Sequence, residues 1–142
     1  MEKLGIYVVL DEAVESLNAF PMIEIDRQYG RKTLWLDKAM ITECLQNIFN
    51  NAVDAMNEEG TLRIHLESGK GKTRISISDT GSGMDSIQLQ NIFEPFYSTK
   101  HKSGRHFGMG MYQVRKVMAA HKGKVEVKSK PGQGTTVTLI FK

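Results

Sequence analysis

Residues 43–56, ECLQNIFNNAVDAM, combine the apolar repeat of a helix with an unusual row of short polar side chains. At about 100° per residue, Asn47, Asn51 and Asp54 fall on one side of this helix, with Asn50 at the edge of the row. We therefore predict a long amphipathic helix, with Asp37 as its N-cap. The opposite, apolar side comprises Leu45, Ile48, Phe49, Ala52 and Met56.

The polar row either faces solvent or binds a ligand. Solvent-facing helix surfaces usually carry long side chains such as Lys, Glu, Arg and Gln, which are also good helix formers. Amide and carboxylate oxygens held close to the backbone instead suit Mg²⁺, which takes one or two protein ligands and completes its shell with water and phosphate. The second interpretation requires a nucleotide site elsewhere in the sequence.

Composition excludes several broad classes of protein. The 142 residues suffice for one domain, and their 40% hydrophobic and 25% charged content is typical of a globular chain. No apolar run reaches membrane-spanning length, and the start does not resemble a signal peptide. The lone Cys44 excludes an internal disulfide and suits a reducing compartment, so a cytoplasmic location is expected. The formal charge of +3 does not single out nucleic acid, because a phosphate-bearing ligand explains it equally well.

Apolar periodicity and turn signals divide the chain into helices and strands without regular βαβ units. We therefore predict an α+β fold, a two-layer sandwich in which about three helices cover a mixed, mostly antiparallel sheet of about five strands. Residues 22–36 are predicted to form either a hairpin or two short strands. Helices are predicted over about residues 10–17, 37–56, 85–92 and 109–121, and further strands over residues 61–66, 73–78, 124–129 and 135–141.

A candidate base-recognition residue follows one of these strands. Asp79 continues the parity of Ile75 and Ile77, which predicts that its carboxylate points to the core side of the sheet. An inward carboxylate needs a hydrogen-bond donor. The exocyclic amino group of adenine is such a donor, whereas guanine has a carbonyl oxygen at that position. Gly81 and Gly83 would let the backbone approach a flat ring. The alternative is that Asp79 only caps the Asp-Thr-Gly turn.

The segment YSTKHKSGRHFGMGM, residues 97–111, carries glycines and cations together. Glycines that lead into a helix can present backbone N–H groups to phosphate. A G-x-G pattern is weak by itself, and a flexible solvated loop is the plain alternative. A mobile lid that closes on nucleotide would have the same composition. Its candidate cations are Lys100, Lys102 and Arg105.

Together these segments resemble the Bergerat ATP-binding fold shared by sensor histidine kinases, type II topoisomerases, mismatch-repair ATPases and heat-shock chaperones. Residues 47–52, NIFNNA, resemble the histidine-kinase N box, and residues 79–84, DTGSGM, resemble the first glycine box. One box alone is a moderate signal, but five in the family's order are a strong one. The other three are residues 92–100, IFEPFYSTK, similar to the F box, residues 107–111, FGMGM, similar to the second glycine box, and residues 132–137, GQGTTV, similar to the closing Gly-Thr segment.

The resemblance spans about residues 37–141 and implies a site for ATP and Mg²⁺. It implies that Asn51 ligates the metal with support from Asn47, and that Asp79, assisted by Thr135, reads the adenine amino group. Catalytic roles fall to Asn47, Asn51 and Lys100. The implied nucleotide-binding residues are Asn47, Asn51, Asp54, Asp79, Gly81, Gly83, Met84, Tyr97, Lys100, Lys102, Arg105, Gly108, Met109, Gly110, Met111 and Thr135.

Asn47 also distinguishes the subfamilies. In the hydrolysing relatives, a Glu one helical turn before the metal-binding Asn polarises the attacking water. An amide cannot act as a general base, so this site resembles one that positions ATP for a nucleophile such as neutral imidazole. The resemblance therefore favours the catalytic domain of a sensor histidine kinase. The alternatives are an ATP hydrolase or protein-serine kinase of the same fold and, from a different class, a basic nucleic-acid-binding module.

A histidine kinase also needs a phosphoacceptor histidine. None of His65, His101, His106 and His121 lies in a His-Glu-rich context on a long upstream helix. We therefore expect residues 21–142 to be an ATP-binding catalytic domain, which residues 1–20 join to a dimerisation and phosphoacceptor domain outside this sequence. The expected partners are that domain and a response regulator, with no nucleic acid and no membrane contact by this domain. Alone, the domain is expected to be monomeric, and the sequence leaves open whether its parent is membrane-anchored.

Overall fold

The computed structural model describes residues 1–95 and 110–142, which fold into seven strands and four α-helices. Three of the helices are long and the fourth, α3, has six residues. In chain order the elements are β1 (Glu2–Gly5), α1 (Ile6–Val14), a 3₁₀ helix (Glu15–Ala19), β2 (Ile23–Gln28), β3 (Thr33–Leu36), α2 (Lys38–Ala55), β4 (Gly60–Gly69), β5 (Lys72–Asp79), α3 (Ser86–Asn91), α4 (Gly110–Ala120), β6 (Lys124–Ser129) and β7 (Thr135–Phe141).

A mixed sheet of five strands forms one layer, in the order β2-β4-β5-β7-β6. β2 runs parallel to β4, and the other pairings in this sheet are antiparallel. Alternate residues of β5 and β7 are buried on the face that forms a continuous core with the three long helices. The predicted two-layer α+β sandwich with a mostly antiparallel sheet is therefore confirmed. No helix in the described ranges is long and apolar enough to cross a membrane.

The hairpin predicted as one alternative for residues 22–36 is wrong, and two separate strands are correct. β2 pairs with β4, whereas β3 pairs with β1 in a second sheet of two strands. The partner of β3 is the first four-residue strand, which the sequence did not reveal because its pattern is too short to count. A turn signal shows where a chain reverses, but the partner of each strand is set by tertiary packing.

The first helix begins at Ile6, four residues earlier than predicted. Its N-cap is Gly5, which has no side chain to act as a capping signal in the sequence. Asp11, expected near the helix start, lies within the helix and binds Arg27 and the Tyr29 hydroxyl instead. The apolar face of this helix belongs to the same core as α2. Residues 1–20 are thus packed onto the domain, and their role as a connection remains a prediction.

Helix α2 follows the sequence prediction closely. The Asp37 carboxylate accepts the Met40 N–H at 3.0 Å and caps the helix as expected. Its apolar side is buried, with Leu45, Ile48 and Phe49 at most 2% exposed. The polar row on the other side is only partly buried, so the two sides predicted from the helical repeat are both present.

Cys44 lies on the buried side of α2, and burial raises the pKa of its thiol to about 12, with a smaller contribution from the Glu43 charge. Because an ordinary thiol ionises near pH 9, the native protein at pH 8 should hold about a thousandfold less thiolate than the unfolded chain. We expect iodoacetamide to alkylate Cys44 in urea and hardly at all in buffer, as followed by mass spectrometry. Equal rates in the two states would contradict the burial.

The same shift predicts how stability depends on pH. The unfolded thiol releases its proton near pH 9 and the folded thiol only near pH 12, so the folded state binds more protons between these values. The contribution of Cys44 is fully present below pH 9 and is lost as the pH rises towards 12. Cys44→Ala removes this titration, and the difference between the two unfolding curves isolates it from the lysines and tyrosines.

Candidate functional site

The base-recognition candidate lies where β5 ends and β7 begins. Asp79 and Thr135 are paired residues in the two strands, as their predicted parity requires. One carboxylate oxygen of Asp79, Oδ1, accepts the Gly81 N–H at 2.8 Å and the Thr135 N–H at 3.2 Å. Asp79 therefore does cap its own turn. The same two bonds fix the orientation of the carboxylate, so turn capping and base recognition are compatible.

The glycine loop that follows Asp79 is pressed against the end of α2. The Ser82 N–H donates to the Ala55 carbonyl oxygen at 3.0 Å. A Cβ on Gly81 would lie 2.6 Å from that same oxygen, closer than real Cβ atoms approach. Only glycine allows this contact. The loop is therefore fixed against the last turn of α2, next to Asp54 of the polar row in the sequence.

The other side of the loop meets the turn between β6 and β7. Gly83 has φ +71°, and a Cβ there would lie 2.0 Å from the Lys130 carbonyl oxygen. The Gly132 N–H donates to the Ser82 carbonyl at 2.6 Å. On the far side of the turn, Gly134 has φ +76° and would place a Cβ 2.1 Å from the Asp79 carbonyl oxygen. The first glycine box and the closing Gly-Thr segment thus interlock.

Two hydroxyl residues in this region were missed from the sequence. Ser129 Oγ accepts the Met84 N–H at 2.8 Å, donates to the Gly134 carbonyl at 3.0 Å and lies 2.8 Å from the Thr135 hydroxyl oxygen. Thr80 Oγ1 accepts the Thr61 N–H at 3.0 Å. The bonds with Met84 and Thr61 join residues 45 and 19 positions apart in the chain, and the position of Ser129 just before a Pro-Gly turn was the only available signal.

The polar row of α2 begins beside this loop and runs away from it. Asn47, Asn51 and Asp54 are all partly buried. At 1.5 Å per residue, Asn51 lies about 6 Å and Asn47 about 12 Å along the helix axis from Ala55, which contacts the loop. Helix α4 packs against α2. It begins at Gly110, and Met111 is buried in its first turn.

A metal bound here would depend on amide oxygens. The described ranges contain no group of three or more His, Cys, Asp or Glu side chains that could hold an ion. The amide oxygens of Asn51 and Asn47 fit a hard cation such as Mg²⁺, which accepts few protein ligands and binds water and phosphate at its other positions. The donor set therefore fits magnesium better than a metal that prefers nitrogen or sulfur ligands.

The remaining predicted residues belong to the F box and the lid. Their roles stay predictions, because these residues lie outside the parts of the chain that the structure describes. They are Tyr97, Lys100, Lys102, Arg105, Gly108 and Met109.

Residues 36–142 match the family of histidine kinase-, DNA gyrase B- and HSP90-like ATPases. The chain belongs to this ATPase family. The match contains the whole of α2 and both strands that carry the base-recognition corner. ATP is therefore the nucleotide that the domain is built to bind.

Curated relatives place this ATPase domain among histidine kinases. The sensor histidine kinase ZraS of Klebsiella oxytoca is 35% identical over 106 residues, covering 74% of this chain and 22% of that protein. The signal transduction histidine-protein kinase AtoS of Escherichia coli strain K12 is 38% identical over 106 residues, covering 74% of this chain and 17% of that protein. The ATPase domain is thus homologous to those of sensor histidine kinases, and it spans about a fifth of their length.

Solved structures agree on the fold. The mycobacterial sensor histidine kinase MprB superposes with a TM-score of 0.87 at 20% identity, over 99% of this chain and 95% of that one. Full-length ShkA, solved in complex with AMPPNP, superposes with a TM-score of 0.81 at 27% identity, over 97% of this chain and 30% of that one. The ATPase domain and its histidine-kinase fold are therefore established from sequence and from structure.

Proposed function

We propose that this ATPase domain binds ATP together with Mg²⁺ and transfers the γ-phosphoryl group to a histidine on a separate dimerisation domain, for relay to a response regulator. The main support is the position of the Asp79 carboxylate, fixed by two backbone N–H groups at the loop that contacts the end of α2. The Asp79 carboxylate is thus close to the end of α2 at which the polar row begins, which supports one nucleotide contacting both.

The proposed roles follow the direction of the polar row. The Asp79 carboxylate accepts a hydrogen bond from the adenine amino group, and Gly81, Gly83, Met84 and Thr135 line the base. The phosphates extend along α2 towards Asn51 and Asn47, which ligate the metal, with Asp54 beside them. Magnesium, when bound, neutralises phosphate charge. In this proposal the first turn of α4, at Gly110 and Met111, and the lid candidates Lys100, Lys102 and Arg105 contribute to phosphate binding.

Catalysis in this proposal rests on positioning, since phosphoryl transfer needs little covalent participation by the protein. The residue one turn before Asn51 is the amide Asn47, which cannot remove a proton from water. A neutral imidazole needs no such base. The site therefore suits transfer to histidine, and attack by water is slow.

Calorimetric titration of the wild-type chain with ATP, with and without Mg²⁺, tests the binding half of this proposal. We expect ATP to bind more tightly with Mg²⁺ than without it, and GTP not to bind. If GTP binds as well as ATP, the base-recognition role of Asp79 is wrong. If Mg²⁺ has no effect, the amide row does not ligate the metal.

The substitution Asn47→Glu is expected to raise the slow rate of ATP hydrolysis by at least about tenfold. A general base typically contributes about 10²–10⁴-fold, and a new carboxylate one turn before Asn51 would supply part of that effect. Phosphate release from ATP measures the rate. Asn47→Gln is the control, because it lengthens the side chain equally without adding a base. Equal rates for the two variants would mean that water does not approach from this side.

The nucleic-acid alternative receives no support from the charges that suggested it. On the exposed side of β6, Glu126 lies between Lys124 and Lys128 and faces Arg74 across the sheet at 3.9 Å. Charges of both signs alternate there, whereas a nucleic-acid surface needs a continuous basic stripe.

The same proposal assigns the rest of the chain. Residues 1–20 connect the catalytic domain, residues 21–142, to the dimerisation domain of the parent kinase. The domain is located in the cytoplasm. The isolated domain is a monomer, and sedimentation equilibrium would measure its association state. A stable dimer would place the dimerisation function within this chain.

A further inference from the structure

His121 joins the end of one helix of the site to the beginning of another. The residue follows α4, and its Nε2 atom accepts the backbone N–H of Asp37, the N-cap of α2, at 3.0 Å. Its Nδ1 atom lies 2.8 Å from the Val117 carbonyl oxygen, one turn back in α4. The ring also packs edge-on against Phe141 of β7, with ring centres 6.3 Å apart.

These two contacts define the protonation state of the ring. A backbone N–H can only donate and a carbonyl oxygen can only accept. Both bonds therefore exist together only if Nδ1 carries the proton and Nε2 is bare, which is a neutral imidazole in one tautomer. The turn holding this ring is closely packed, since a Cβ on Gly123 would lie 2.3 Å from the Ile140 carbonyl oxygen.

His121 completes the capping of α2 from a distance. In a capping box, the N-cap side chain accepts the N–H of the third helical residue, whose own side chain accepts the N-cap N–H. Asp37 makes the first of these bonds, to Met40, but a methionine is a poor acceptor for the second. Nε2 of His121, 84 residues away, takes its place. The second bond of the α2 cap thus comes from the residue that follows another helix, α4.

Helix α2 is consequently held at both ends by different parts of the site. Its last turn is bonded to the base-recognition loop through Ala55, and its N-cap is bonded to the end of α4. Helix α4, which the structure describes from Gly110 onwards, is the helix that the proposed function assigns to phosphate binding. We propose that His121 is a positioning residue that sets α2 relative to α4, and so sets the geometry of the magnesium and phosphate end of the site. This inference rests on the proposed function.

The two ends of the nucleotide should respond differently to loss of this link. Asp79 is fixed by the Gly81 and Thr135 backbones, and these bonds are separate from those of His121 to Asp37 and Val117. The metal, by contrast, needs Asn51 on α2 and the phosphates near α4 to be correctly spaced. Removing the link should therefore reduce the gain in affinity that Mg²⁺ provides and leave metal-free ATP binding nearly unchanged.

The test compares the chain with His121→Phe, which keeps the ring and the contact with Phe141 but removes both nitrogens. Calorimetry gives the affinity for ATP with and without Mg²⁺. We expect the gain in affinity from Mg²⁺ to fall about three- to tenfold, the size of the one lost hydrogen bond that joins α4 to α2. His121→Gln, whose carboxamide can both donate and accept, should restore much of it. His65→Phe, on an exposed strand position, is the matched control and should leave the gain unchanged.

A second variant separates positioning from simple capping. Met40→Gln in the His121→Phe background offers the Asp37 N–H a local acceptor and rebuilds the capping box without reconnecting α4. We expect this double variant to recover thermal stability and not the magnesium gain. Recovery of both, or a His121→Phe variant that is less stable but retains the full gain, would show that His121 is only a cap and overturn the inference. Wild-type protein that binds no ATP would refute the proposed function itself, and the inference with it.

Nitrogen NMR provides a readout independent of ligand. The chemical shifts of the His121 ring should be those of the tautomer protonated at Nδ1, and the Asp37 amide should exchange slowly with solvent in the wild type and faster in His121→Phe. A ring protonated at Nε2 would overturn the assignment.

Discussion

The substitution Asp79→Asn is expected to lower the affinity for ATP by about 100-fold or more while leaving the fold intact. Oδ1 of Asp79 accepts two backbone N–H groups, and in the proposed function the same carboxylate accepts a hydrogen bond from the adenine amino group. An asparagine can keep its oxygen on those N–H groups, but it then presents an NH₂ group to another NH₂ group. The lost hydrogen bond to a charged group and the unfavourable contact between two NH₂ donors together reduce the binding free energy of ATP by about 3 kcal/mol.

The Asp79→Asn variant should also change how the domain discriminates between ATP and GTP, because guanine differs from adenine at the group that Asp79 contacts. It has a carbonyl oxygen where adenine has its amino group, so the NH₂ group that Asp79→Asn introduces would be a matching donor. We expect the preference of the wild type for ATP over GTP to shrink or reverse in this variant, as measured by competition calorimetry. This shift in preference separates loss of base reading from general damage to the site.

Asp26→Asn is the matched control for Asp79→Asn. It makes the same chemical change and the same change of net charge on the edge strand β2, where Asp26 forms an ion pair with Arg63 at 3.6 Å and accepts long hydrogen bonds from the Gln28 amide at 3.4 and 3.5 Å. Surface pairs of this kind contribute little, so both affinity and stability should stay close to wild type. An Asp79→Asn variant that binds ATP like this control would remove Asp79 from the site.

The fold was predictable wherever local signals are strong. Helix α2 has a regular apolar repeat and a side-chain cap, and both were visible in the sequence. Strands β6 and β7 alternate on either side of a Pro-Gly turn, and their observed bounds equal the predicted ones. The start of α1 and the strand β1 were not predictable, because Gly5 gives no capping signal and a four-residue strand has too few residues to establish a period.

In the candidate site, too, features encoded by local patterns were predictable and long-range contacts were not. Strand parity placed Asp79 on the inner face, and the structure does bring it beside Thr135. The hydroxyl of Ser129 and the ring of His121 were not predicted, because the backbone N–H groups that they accept, those of Met84 and Asp37, are 45 and 84 residues away in the chain. Sequence patterns report on neighbours within a helix turn or a strand, whereas such bonds depend on how whole elements pack.

The substitution Gly134→Ala is expected to destabilise the domain by about 2–5 kcal/mol and to weaken ATP binding as well. Gly134 is buried with φ +76°, a conformation that costs an alanine about 1–2 kcal/mol. Its Cβ would lie 2.1 Å from the Asp79 carbonyl oxygen, and forcing backbone apart in a packed region adds about 1–3 kcal/mol. The displaced strand end carries Asp79 itself, so the base-recognition corner moves with it. Thermal unfolding and ATP titration measure the two effects.

Gly132→Ala is the control for Gly134→Ala, because it introduces the same backbone strain without the steric clash. Gly132 lies two residues earlier in the same turn and has φ +77°, but a Cβ there would meet nothing within 4 Å. Both variants share the backbone penalty, so the difference between them is the contact with Asp79. We expect Gly132→Ala to lose about 1–2 kcal/mol of stability and to bind ATP like the wild type. If the two variants lose equal stability and both bind ATP normally, the Gly134 backbone is not what holds Asp79 in place. The interlocked loops would then be a feature of folding with no part in recognising the base.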